Sequence, residues 1–158
     1  MKTTLEEARE RSHNETVNVL QSILEKNYDA EKGYKKAMHD AKTPALKNFL
    51  KQQALQRSHF ATAIDKALHD LDEKPKESGS VTGRLHRAWI DIKSSLSGND
   101  DEAVLEEVIR GEKASVKEYE DVINKHTLAP RINNLLQSQR ADIESTLARV
   151  RTLEDLAN

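Results

Sequence analysis

The sequence predicts an all-α fold: a four-helix bundle of two helical hairpins, with a short extra helix in the long crossover between them. Three observations carry this. Apolar residues recur at spacings of three and four over four long stretches, the period of one face of an α-helix. Gly (5) and Pro (3) are scarce among the 158 residues and fall at the breaks between those stretches. Charged residues make up 33% and hydrophobic residues 36%, a balance that suits amphipathic helices with polar outer faces.

The first long helix is expected over residues 12–41. Ser12 with Glu15 makes a capping box, and the seam reads Val17, Leu20, Leu24, Asn27, Glu31, Tyr34, Met38, Ala41. Residues 1–11 form an N-terminal extension with a turn or two of helix, since Thr3-x-x-Glu6 and Thr4-x-x-Glu7 are also capping boxes. After a short break, Thr43 caps the second helix and Pro44 fits its first position. Its seam, running to about residue 72, is Leu46, Phe49/Leu50, Gln53, Gln56, Phe60, Ala63/Ile64, Ala67, Leu71. The polar run "DEKPKESGS" then opens a crossover over 73–98. A shorter helix is expected within it over 81–96, with the stripe Val81, Leu85, Trp89, Ile92, Leu96. Asn99 caps the third long helix, to about residue 125, with Leu105, Val108/Ile109, Glu112, Val116, Tyr119, Val122/Ile123 on its seam. Pro130 starts the fourth, marked by Ile132, Leu135/Leu136, Gln139, Ile143, Thr146/Leu147, Val150, Leu153.

The whole chain, 1–158, is read as one domain. Residues 12–72 are the first hairpin and 99–158 the second. Short loops make each hairpin antiparallel, and the long crossover is expected to let the second hairpin start from the same end as the first. One long crossover is the connectivity of ferritin-like bundles. The halves also echo each other. Aligning Tyr34 with Tyr119 sets Ala37 on Val122 and Met38 on Ile123. A two-residue change of offset at the loop then sets Gln56-Arg57 on Gln139-Arg140, Phe60 on Ile143 and Ile64 on Leu147.

Several function classes are excluded or disfavoured. No cysteine is present, so disulfide, thiolate-metal and cysteine chemistry are out. The formal net charge is −2 with both signs interleaved, which leaves no polybasic footprint for nucleic acid. The opening residues MKTTLEEARERSHNE lack an apolar signal core, and nothing reads as a membrane span. The expectation is a cytoplasmic protein. No nucleophile–base pair, phosphate loop or Gly-rich fingerprint is visible, so no catalytic residue and no organic cofactor are assigned. His39, His69 and His126 fall near helix ends, where they suit the helix dipole. His13 reads as solvated, and Tyr34 and Tyr119 as core residues with hydrogen-bonded hydroxyls.

The informative feature lies mid-helix. Polar residues interrupt all four apolar seams: Asn27 and Glu31, Gln53 and Gln56, Glu112, and Gln139. Mid-helix positions of a bundle share a height, so these side chains should meet as one interior layer. Buried and unpaired, they would cost about 1–3 kcal/mol each if neutral and several if charged. A ferritin-like dinuclear iron or manganese centre wants a Glu from each of two helices and Glu-x-x-His from the other two. The sequence has Glu112 but Asn27 at the matching place, then Gln56-x-x-His59 and Gln139-x-x-Asp142. A single divalent ion on Glu31, His59 and Glu112 is one reading. The other needs no metal: Arg57 and Arg140 flank the layer and would neutralise Glu31 and Glu112, with Gln56 and Gln139 completing the hydrogen bonds. In a third, both arginines reach out to solvent.

The crossover and third helix carry a resemblance. "SGSVTGRLHRAWIDIKSSLSGNDDEAVLEEVIRGE" (residues 78–112), followed by Tyr119, resembles the signature of an uncharacterised bacterial family, a domain of unknown function described as a ferritin-like four-helix bundle. "DAEKGYKKAMHDAKTPALKNF" (residues 29–49) resembles its first hairpin. The resemblance covers about residues 14–155 and implies the fold and a bacterial cytosolic setting, but no activity. The expected function is therefore non-enzymatic, by binding or assembly and linked to stress. A polar core layer of Asn27, Glu31, Gln53, Gln56, Arg57, Glu112, Gln139 and Arg140 would replace a dinuclear site. The Trp89 stripe would cover the bundle or a second copy, making a homodimer. The rival is an iron- or manganese-binding oxidase or storage protein using Glu31, His59 and Glu112.

Overall fold

The computed structural model describes residues 1, 3–75 and 100–156. They form four helices, α1 (Thr4–Asp40), α2 (Pro44–Asp70), α3 (Asp101–Lys125) and α4 (Pro130–Arg149), closed by a single 3-10 turn (Leu153–Leu156). The fold is an all-α four-helix bundle, as the apolar periodicity predicts. The expected crossover helix over 81–96, with Trp89 and its stripe, lies outside the described residues.

Local chemistry sets the boundaries. Helix α1 starts at Thr4, not at Ser12. Thr3 caps it in a full capping box with Glu6, and the good helix formers between leave Ser12 inside the helix, its carbonyl accepting from Thr16 Oγ1. Thr43 caps α2 and Pro44 opens it, as read from sequence. Helix α2 ends at Asp70 in a Schellman motif. Asp72 takes the left-handed conformation at φ 59°, its N–H donates to His69 O, and the Glu73 N–H donates to Leu68 O. The cap of α3 is Asp100, one residue later than predicted, accepting from Ala103 N at 2.9 Å.

Cross-helix contacts fix the directions. The end of α3 meets the start of α1 through His126 and Glu15, Tyr119 meets Asn27, and Asp101 accepts from Lys42 and Thr43 N–H at 2.8 Å. So α1 and α3 run antiparallel, and the second hairpin starts where α1 finishes, opposite to the end expected from sequence. Asp101, anchored on the α1–α2 loop, imposes this. At the other end Arg131 pairs with Asp70. The tail of α2 returns to α1, with Glu73 Oε1 2.9 Å from His13 Nε2 and Lys74 O accepting from Gln21. His13 is thus paired rather than simply solvated. Gln21 and Asp40, the last residue of α1, are about 29 Å apart along the helix at 1.5 Å per residue, so the two ends of the crossover sit about that far apart.

The core is in two parts. One cluster gathers Ala30, Tyr34, Ala37, Leu46, Leu50, Val104 and Val108, with Leu153 and Leu156 of the closing turn packed against it. The other gathers Leu20, Ile23, Leu24, Ile64, Leu68, Leu136 and Ile143. On α1, α2 and α3 the gap between them brackets Asn27, Arg57 and Glu112, and on α4 it follows Ile143.

Asp101 ties one end of the bundle together. Burial alone would raise its carboxyl, but the hydrogen bonds from Lys42 and Thr43 outweigh that and hold it below its ordinary value. Such a group stabilises the fold above the unfolded carboxylate value of about 3.9 and stops doing so as pH falls through its lower folded value. Asp101→Ala should therefore cost about 1–3 kcal/mol near neutrality, as expected for charged hydrogen bonds. In chemical unfolding across pH, its deficit against wild type should close below about pH 4.

Candidate functional site

A chain of hydrogen bonds starts in the gap, at Arg57, Asn27 and Glu112, and runs into the second cluster, touching all four helices. Arg57 of α2 donates from Nη2 to Glu112 Oε1 of α3 at 2.6 Å and from Nη1 to Asn27 Oδ1 of α1 at 3.0 Å. Asn27 Nδ2 donates to Ile23 O at 3.0 Å and to the Tyr119 hydroxyl at 2.9 Å. The Tyr119 hydroxyl donates to Gln139 Oε1 of α4 at 2.7 Å, and Gln139 Nε2 ends the chain by donating to Phe60 O of α2. Asn27, Arg57, Glu112, Tyr119 and Gln139 are all at most 3% exposed.

Electrostatics follow from that burial. For Arg57, burial disfavours the cation, yet Glu112 beside it more than compensates and holds its pKa above the ordinary value. Tyr119 is pushed up to about 12, chiefly by burial, with Arg57 opposing, so it is a neutral donor at any physiological pH. Burial also raises Tyr34 well above the usual phenol value, and the neighbouring Glu112 carboxylate raises it further. Each tyrosine therefore faces the other hairpin: Tyr119 meets Asn27, and Tyr34 lies by Glu112. At the layer's edge, burial raises Glu118, countered first by Lys26 at 3.7 Å.

The predicted layer is met in part. Asn27, Arg57, Glu112 and Gln139 are brought together, and Gln53 is buried beside them. Glu31 is not in the layer: it turns outward and pairs with Lys35 one turn on, at 2.8 Å. Arg140 is also turned out, 3.7 Å from Glu120 and 3.5 Å from Glu144, so it balances no interior carboxylate. Gln56 is only half-buried. Glu31, His59 and Glu112 are not gathered into one site, because His59 is exposed and Glu112 is held by Arg57. Among the described residues, no three His, Asp or Glu side chains come together in a metal-holding group. Tyr119, which is not among the residues expected in the layer, is one of its links. Its signal was there in the spacing Asn27-x6-Tyr34 and Glu112-x6-Tyr119, which sets a tyrosine two turns from each polar position.

The register of the echo also changes. Buried positions of α1 and α3 coincide at an offset of 85: Leu20 with Leu105, Ile23 with Val108, Asn27 with Glu112, Ala30 with Ser115, Tyr34 with Tyr119. Those of α2 and α4 coincide at 82: Ala54 with Leu136, Arg57 with Gln139, Ala61 with Ile143, Ile64 with Thr146. The change at the loop is three residues, not two. Arg57 therefore corresponds to Gln139, and Arg140 falls one position round the helix, about 100° away, half-buried beside Glu120 and Glu144.

Residues 15–125 match the family described as Domain of unknown function (DUF2383). The chain belongs to that family. The match covers more than half of the chain and includes Asn27, Arg57, Glu112 and Tyr119, while Gln139 lies past its end. A comparison with curated proteins finds no match. In this DUF2383 chain, among the described residues, no helix is long and apolar enough to cross a membrane.

Two substitutions test the layer. Arg57→Met leaves the Glu112 charge buried without its partner and should cost about 3–5 kcal/mol, whereas adding Glu112→Leu should restore most of it, since a buried pair replaced by apolar groups is close to neutral. Urea unfolding of both variants reads the difference. Tyr119→Phe strands Gln139 Oε1, and a loss of about 1–3 kcal/mol is expected; a change within about 0.5 kcal/mol, typical of surface sites, would show that Gln139 finds another donor.

Proposed function

We propose that the chain is a non-enzymatic, ferritin-like bundle that works by binding or assembly, with a paired guanidinium where metal-holding relatives of that layout place cations. The observation that supports this is Arg57, 1% exposed and 2.6 Å from Glu112 Oε1 at mid-bundle. A dinuclear centre needs several carboxylates converging on the layer. Here one of the hydrogen-bonded side chains is a carboxylate, and its charge is already matched by a guanidinium. The remaining links are amides and a phenol that stays protonated, neutral groups that bring no charge to offset a cation placed beside the guanidinium. The layer is electrically neutral and joins four helices, which suits a scaffold whose register is fixed from within.

The experiment is metal analysis of protein purified without chelator, with wild type and the Glu112→Gln and Glu112→Ala variants side by side. The expected result is iron, manganese and zinc well below one per chain, and a wild-type Tm unmoved by added iron(II) or manganese(II). Stoichiometric metal that both variants lose would overturn the reading in favour of an iron- or manganese-binding oxidase or storage protein.

A further inference from the structure

Part of the polar layer is left over once the hydrogen-bonded chain is traced. Arg57 Nε, Gln53 Oε1 and Gln56 Oε1 are enclosed by protein and meet no hydrogen-bonding partner within it. Gln53, Gln56 and Arg57 stand at i, i+3 and i+4 on α2, which makes them neighbours on one helical face. The Glu112 carboxylate is already held by Arg57, with Tyr34 against it. This face of α2 therefore presents one N–H donor and two oxygen acceptors, with Gln53 only 8% exposed.

The donor set discriminates between ligands. A cation would sit against the Arg57 guanidinium, where the low dielectric of the interior makes like-charge repulsion strong. An anion would meet two oxygen acceptors for one donor. Water fits, since it is neutral, accepts from Arg57 Nε–H and donates two hydrogens to the oxygens. Buried waters typically make about three such bonds to groups left unpaired by the protein. A route is also present. Gln53 lines a surface cleft of ≈ 300 Å³ between Asn48, Phe49 and Gln52 of α2 and Val150 and Leu156 near the end of the chain.

We propose that the α2 side of the layer is a resident water site, held by Arg57 Nε, Gln53 and Gln56 and filled from this cleft. The site completes the hydrogen bonding of the guanidinium, so that Arg57 keeps its charge in the core with one carboxylate beside it. The proposal rests on reading the layer as metal-free. A cation found at the site would sink both, whereas a dry site would sink this proposal alone.

The test is a high-resolution crystal structure of the full chain, as wild type and as Gln53→Leu, with data also collected at the iron and manganese absorption edges. The expected result is a peak without anomalous signal, at hydrogen-bonding distance from Arg57 Nε and Gln53 Oε1. It should be lost or displaced in Gln53→Leu while the Arg57–Glu112 contact persists. Empty density in the wild type overturns the proposal, as does an anomalous peak at metal-coordination distance. A peak that survives Gln53→Leu unmoved overturns the assignment of Gln53. In solution, water cross-relaxation to the Arg57 Nε proton should be visible, and its absence would count equally against a resident water.

Discussion

The bundle is organised around a guanidinium that has been taken out of water. Removing an arginine and a glutamate from solvent costs several kcal/mol per ion even after relaxation, and only close, well-directed hydrogen bonds offset it. Arg57 has them: Glu112 at 2.6 Å and Asn27 at 3.0 Å. Those two contacts require α1, α2 and α3 to sit at one relative height. Tyr119 and Gln139 carry the requirement on to α4. The ion pair therefore acts less as a source of stability than as a gauge of register, because a slip of any helix by one residue would turn a polar group into an apolar layer.

The two apolar clusters make that gauge effective. Above and below the layer, the contacts are between aliphatic side chains such as Leu20, Ile23, Leu46, Leu50, Ile64 and Leu136. Such side chains exchange places at modest cost when volume is kept, so alone they specify helix height loosely. A hydrogen-bonded network answers differently: fully satisfied it orders the core, half satisfied it is worse than an apolar one. The end contacts act in the same sense, with Asp101 fixing the start of α3 on the α1–α2 loop and Glu73 and Lys74 returning the tail of α2 to α1. The height of the four helices is thus set at the middle and at both ends.

Much of this could be read before the structure, and the limits have physical causes. Helical seams and the Thr43-Pro44 start follow from period and cap chemistry, which are local. That a polar layer exists follows from interruptions of the seams, which need only the knowledge that mid-helix positions meet. Which polar groups enter it does not follow, because a seam drawn at spacings of three and four leaves an uncertainty of one position at each turn. Glu31 lay within that uncertainty and turned out to face Lys35. Arg140 lay within it as well. The repeated Gln-Arg pair invited an alignment by identity, whereas the burial pattern aligns the halves one residue away and sets Arg57 against Gln139. Identity between two short strings is a weaker guide to equivalence than the phase of the buried face, and that phase depends on how the loops place the helices. The direction of the second hairpin was hidden for a related reason: crossover length permits either end, and only the Asp101 anchor decides.

The corrected register shows what the near-symmetry of the halves is for. Tyr119 of the second hairpin meets Asn27 of the first, and Tyr34 of the first lies beside Glu112 of the second, so the tyrosines are exchanged between equivalent places. The groups they meet differ, a neutral amide on one side and a carboxylate on the other. Position by position, the α2 partner is a cation and the α4 partner is an amide. A fully symmetric layer of two glutamates and two arginines would also have been neutral, but it would have buried four ions where two suffice, and each additional ion carries its own desolvation cost. Confining the charge to Arg57 and Glu112 keeps the layer neutral with half as many buried ions. It also makes the two hairpins non-interchangeable, since an Asn27 side chain in the place of Glu112 would leave the guanidinium without its counter-ion. The asymmetry thus distinguishes the intended pairing of two similar hairpins from pairings of either hairpin with its own like.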